Sequence, residues 1–105
     1  MIVINNDQGL VLSLESARAS KVDYRIVEVV NASPSTEIKS IVILDRPPSQ
    51  EMIDEFSSSE GVKVERVLSS IMVIKVRGKA KSVVELASKD YVRHVILEEI
   101  LPSEA

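Results

Sequence analysis

Cysteine is absent from this 105-residue chain, and histidine occurs once, at position 94. The first absence excludes a disulfide framework, a thiolate nucleophile and a cysteine-ligated zinc, and the second leaves little with which to hold a transition metal. Aromatic residues make up 3% of the chain, namely Tyr24, Phe56 and Tyr91, so a base-stacking platform has almost nothing to build from. Three glycines are too few for a phosphate-cradling loop of the usual kind, and no G-x-G-x-x-G, P-loop, G-x-S-x-G or H-E-x-x-H pattern occurs. A surplus of positive charge is also missing: 13 lysines and arginines face 16 acids, a formal net charge of -3. No overall field draws the chain to a phosphate backbone, which disfavours nucleic acid as a partner. No apolar run approaches the roughly 18 residues of a membrane span. The start, Met1 to Asp7, has neither a basic region nor the long apolar stretch of a secretory signal. The expectation is a cytoplasmic protein with no membrane contact and no cofactor.

What the chain does hold is 45% hydrophobic and 28% charged residues, a mixture that can bury a core, in a length suited to one domain. The apolar residues are mostly valine, isoleucine and leucine, which favours a sheet. Two parts meet at the loop-forming segment Asn31 to Thr36. Residues 1–37 carry short apolar runs at Ile2–Ile4, Leu10–Leu14 and Tyr24–Val30, read as a β-rich extension with a hairpin connection at Gly9; Ser16 to Lys21 is able to form a helical turn. Residues 38–105 begin with a β-branched run, Ile38 to Asp45, halted by Pro47 and Pro48. Met52, Ile53 and Phe56 then fall at helical spacing behind a Ser49 N-cap, with Gly61 as the stop. Alternation at Val62 and Val64, and again at Met72, Ile74 and Val76, predicts two strands with a turn at Ser69-Ser70. Ala80, Val83, Val84 and Ala87 predict a second helix, and a last strand runs from Tyr91 or Val92 to about Glu98. The order β-α-β-β-α-β predicts an α+β, ferredoxin-like sandwich, with both helices on one face of four antiparallel strands. The other face is expected to show Lys63, Glu65, Lys75 and Arg77 with Val67 and Val73 among them.

Catalytic constellations are not found. His94 falls inside a strand without a positioned serine. The carboxylate pairs Asp54-Glu55 and Glu98-Glu99 are adjacent residues that point apart, so neither is a preformed acid/base dyad. Lys75, Arg77, Lys79 and Lys81 form a basic cluster, yet the central strands read Ile41-Val42-Ile43-Leu44 and Met72-Val73-Ile74-Lys75, without a ring to stack on a base. An enzyme is therefore not the expectation.

With that order of elements in place, residues 38–105 resemble the subtilisin propeptide family of proteinase inhibitors. The likeness rests on Ile41-Val42-Ile43-Leu44-Asp45 as opening strand, Gly61-Val62-Lys63-Val64 after the first helix, and the apolar stretch Ile71 to Val76. It rests also on Ser88-Lys89-Asp90-Tyr91-Val92-Arg93-His94-Val95, which leads into the last strand and is similar to the family's Asp-Pro-x-Val-x-x-Val pattern without its proline. The resemblance implies an inhibitor or folding assistant of a subtilisin-like serine protease, resting its open sheet face on the enzyme and laying its C-terminal tail in the substrate cleft. Carried over residue by residue, Glu98 matches the second of two acidic positions that cap helices of the protease, while Ile96 stands at the first. Ile100, Leu101, Pro102, Ser103, Glu104 and Ala105 match the tail, with Leu101 as apolar anchor when Glu104 or Ala105 sits at the cleavage subsite. An extended tail of this kind adds a strand to the protease's substrate edge.

The rival expectation keeps the fold but no protease target: an oligomeric interaction or regulatory module, such as a homodimer paired through N-terminal strands. Residues 1–37, which the resemblance does not explain, are able to form a small meander over the open face or an edge of the sheet, and a meander there would block the surface used against a protease.

Overall fold

The computed structural model describes residues 21–102. Its elements in chain order are helix α1 (Tyr24–Ala32), strand β1 (Glu37–Leu44), helix α2 (Gln50–Ser58), strand β2 (Val62–Leu68), strand β3 (Val73–Lys79), helix α3 (Ala80–Glu85) and strand β4 (Val92–Ile100), with short 3₁₀ turns at Ser69–Ile71 and Leu86–Ser88. The four strands form one antiparallel sheet in the order β2-β3-β1-β4. The protein is thus an α+β domain, as its patterning predicts.

Local chemistry sets the boundaries of the elements. Pro47 and Pro48 interrupt the chain after β1, since neither offers a backbone donor. Ser49 opens α2 by accepting a hydrogen bond from Met52 N at 3.2 Å, which satisfies one of the orphan donors of the first turn. After α2 the backbone turns through Gly61 at φ 81°, a conformation without penalty only for glycine. Gly61 O comes so close to Gly78 on β3 that a Cβ there would lie 2.0 Å from it.

Along β1, Ile38, Ser40, Val42 and Leu44 are buried while the residues between them are not. The buried set meets Ile26 of α1, Met52 and Phe56 of α2, and Val83 of α3 in one core on one side of the sheet. Ile53 and Val84 flank that core, half-buried. Each large side chain fully removed from water contributes about 1.5 to 3 kcal/mol.

Two expectations are corrected. The strand expected over Tyr24–Val30, part of a β-rich extension, is the helix α1. Ile26, Val29 and Val30 also fit a 3.6-residue period, and Asp23 caps the helix by accepting from Arg25 N at 3.0 Å. The cap and the burial of Ile26 within the common core override the β-propensity of the valines. The strands expected at Ile2–Ile4 and Leu10–Leu14, the turn at Ser16 to Lys21 up to residue 20, and the tail residues Ser103 to Ala105 lie outside the described residues. The second correction concerns Val67, expected on the open face. A register shift between Val64 and Arg66 inserts one residue into β2, and Val67 pairs with the core residue Ile74. A one-residue bulge exchanges the faces of everything beyond it.

Candidate functional site

With all three helices on one side, the opposite sheet face carries no helix or strand among the described residues. Its residues follow from the register. One row across the sheet reads Leu68, Val73, Ile43, His94; the next reads Arg66, Lys75, Ile41, Ile96; the next reads Lys63, Arg77, Lys39, Glu99. Ile41, Ile43 and Ile96 are half-buried, and Val73 is only 7% exposed although it lies outside the helix-side core. The face therefore has an apolar centre with charge along one end. Three ion pairs bind the charges to one another: Lys75 with Glu98 at 2.9 Å, Arg77 with Glu37 at 3.3 Å and Lys39 with Glu65 at 4.0 Å. Beyond this face, Ile71 and Met72 are exposed at the β2–β3 turn, where Met72 takes a left-handed conformation with φ 57°.

Of the residues matched to the tail, those described stand at the end of β4, with Glu98 toward this face and Ile100 on the helix side opposite the core residue Ile38. Glu98 is engaged with Lys75, so its carboxylate reaches a partner only by sharing or leaving that pair. Ile100 is 51% exposed in the last position of β4. Leu101 is half-buried, and its N–H donates to Glu37 O at 2.9 Å. Pro102 is exposed and has no N–H with which to continue the pairing. The chain leaves the sheet here.

β4 is an edge strand, and its free side is covered over part of its length by the segment that precedes α1. Val95 N donates to Lys21 O at 2.8 Å and Asp23 N donates to Val95 O at 2.9 Å. Leu97 N donates to Asp23 Oδ2 at 3.0 Å, and Arg25 Nη2 donates to Leu97 O at 3.3 Å. The Lys21 ammonium is held by Ala87 O and Lys89 O at 3.0 and 3.2 Å. The Arg25 guanidinium beside Asp23, together with backbone donors, holds the Asp23 carboxyl down at about 2 against its burial. An edge whose donors and acceptors are taken offers no template for another strand. Sequence reasoning passed over this clamp. Its signal was Asp23, an N-cap residue ahead of a run with helical spacing.

The remaining polar groups have structural partners or none. Tyr91 donates its hydroxyl to Glu55 and stacks on Phe56, with ring centroids 6.3 Å apart. Burial, reinforced by the Glu55 carboxylate, pushes the Tyr91 phenol up from its ordinary value. His94 is exposed opposite Ile43, with no hydrogen bond to any carboxylate or serine among the described residues. Among the described residues no group of three potential metal ligands occurs, and no helix is long and apolar enough to cross a membrane. A shallow groove between α1 and the end of β4, with Val29, Ala32, Leu97 and Ile100 in its wall, opens widely to solvent. Comparison of the chain with family models, curated proteins and solved structures finds no match.

Proposed function

We propose that this protein is a docking domain with a ferredoxin-like fold that inhibits, or assists the folding of, a subtilisin-like serine protease. The observation that carries the reading is the placement of the tail: β4 runs along the margin of a sheet face that no described helix or strand covers, and Leu101 and Pro102 follow from its end. A partner resting on Ile41, Ile43 and Ile96 would have Leu101 and Pro102 close by, at the end of β4. An extended peptide offers backbone donors and acceptors to the edge of a substrate cleft. The strand order β2-β3-β1-β4, with helices on one face, supports the same family likeness.

The test is a titration of the intact protein against a purified subtilisin-type protease with a small chromogenic substrate, run beside a variant lacking residues 101–105. Inhibition by the intact chain and its loss in the shortened one is the expected result. Equal inhibition by both removes the tail from the mechanism, and absence of inhibition by intact, folded protein removes the protease.

A further inference from the structure

The charges of this acidic chain are divided by layer. The four strands hold seven cationic side chains and four carboxylates, whereas the helices and connecting segments of the described residues hold five and nine. The cationic surplus of the strands is concentrated on the open face, at the β2–β3 end. There Lys63 stands directly opposite Arg77, and Arg66 directly opposite Lys75; Lys39 continues the first of these rows on β1. Like charges in cross-strand register oppose folding. The face answers them only in part. Its three carboxylate pairs engage Lys39, Lys75 and Arg77, while Lys63, Arg66 and Lys79 are exposed and have no ion-pair partner among the described residues. Nothing in the packing requires two cations to face two cations on a solvated edge pair.

We infer that the open sheet face receives an acidic protein surface, with carboxylates meeting Lys63, Arg66 and Lys79 and apolar side chains meeting Ile41, Ile43 and Ile96. This rests on the docking reading above and specifies the partner's chemistry. Carboxylates between the facing cations would convert two repulsive pairs into attractive ones, so part of the binding free energy is held in the unbound sheet. A protein fits the face better than a nucleic acid does. The strands carry no phenylalanine, tyrosine or tryptophan, and His94 is their one aromatic ring; the isoleucines beside the cations match apolar side chains rather than sugars and phosphates.

The test uses the full chain and the variant Lys63→Glu/Arg66→Glu. Both positions are exposed, and each glutamate would face an existing cation, so the variant should unfold at a higher temperature than the parent. Binding is read by fluorescence anisotropy with three labelled probes of similar length: a peptide alternating glutamate and leucine, one alternating lysine and leucine, and a single-stranded oligonucleotide. Amide NMR shifts locate the contact. The expected result is preferential binding of the glutamate peptide with shifts on β2 and β3. Its affinity should fall about tenfold or more between about 50 and about 500 mM salt, and by a similar factor in the variant. Equal binding of both peptides, tighter binding of the oligonucleotide, or an unaffected variant overturns the inference. Protease inhibition that ignores the double reversal overturns the acidic partner and leaves the protease standing. Absence of inhibition by a chain that still binds the glutamate peptide does the opposite.

Discussion

Replacing Asp23 by alanine tests the clamp that joins the chain before α1 to the edge of β4. The carboxylate caps α1 through Arg25 N at 3.0 Å, accepts from Leu97 N at 3.0 Å and pairs with the Arg25 guanidinium at 2.7 Å. Loss of an N-cap costs about 1 kcal/mol. An edge amide left without its acceptor costs about 1 kcal/mol more when partly shielded from water. The Arg25 pair is solvent-facing on the arginine side, and water screening leaves it a minor contribution. Asp23→Ala should therefore lower the unfolding free energy by about 2 to 3 kcal/mol, the sum of these contributions. Asp23→Asn keeps one acceptor oxygen but sets its NH2 against the other of the two amides, which bond to separate carboxylate oxygens, and should lose about 1 to 2 kcal/mol. Urea unfolding followed by far-ultraviolet circular dichroism measures both. The same carboxyl gives a pH signature. Its folded value of about 2 lies below the ordinary 3.8, so the stability it supplies is complete above the unfolded value and drains away as pH falls through the folded one. Allowing for solvent screening of the Arg25 pair, about 1 to 2 kcal/mol should disappear between roughly pH 4 and pH 2, and that loss should be missing from Asp23→Asn. An alanine variant within about 0.5 kcal/mol of the parent, or an asparagine variant with the parent's acid profile, would refute the reasoning.

Other outcomes follow from single sites. Ser40 is 0% exposed and its hydroxyl has no hydrogen-bond partner, so Ser40→Ala should be neutral or stabilising by about 1 kcal/mol; a clear fall in the thermal midpoint would mean that the hydroxyl is bonded. Gly78→Ala would push a methyl group to 2.0 Å from Gly61 O, forcing β3 and the α2–β2 turn apart, and should cost more than about 3 kcal/mol; a variant with the parent's urea midpoint would contradict the close approach. The Tyr91 phenol, raised by burial and by Glu55 from 10.0, should ionise above that value in an ultraviolet titration and shift back toward it in Glu55→Gln. An unshifted phenol in the parent would place the ring in open water.

Among the elements from residue 38 onward, the most legible are those marked twice. α2 is announced by the Ser49 cap and by the spacing of Met52 and Phe56, β1 by its β-branched run and the prolines that stop it. For α1 only one mark was strong: Ile26, Val29 and Val30 satisfy the spacing, but the same valines suit a strand, and Asp23 was the deciding residue. Alternation alone places Val67 on the wrong face because it does not reveal where an extra residue enters a strand. The candidate surface was partly visible in the same way. Lys63, Lys75, Arg77 and Val73 were readable as outward residues, whereas Arg66 joins them only because of the bulge in β2.

Composition and periodicity alone determined that this chain builds a sheet-containing core without disulfides, and where most of its strands and helices begin and end. Those properties depend on neighbours within a few residues, through caps, breakers and the two hydrophobic periods. Tertiary structure decided which edge of β4 is covered, that Glu98 is matched by Lys75, and that cations from β2 and β3 stand face to face. These depend on register between strands far apart in the chain, and a shift of one residue in that register, which barely alters local propensity, moves every side chain to the other face.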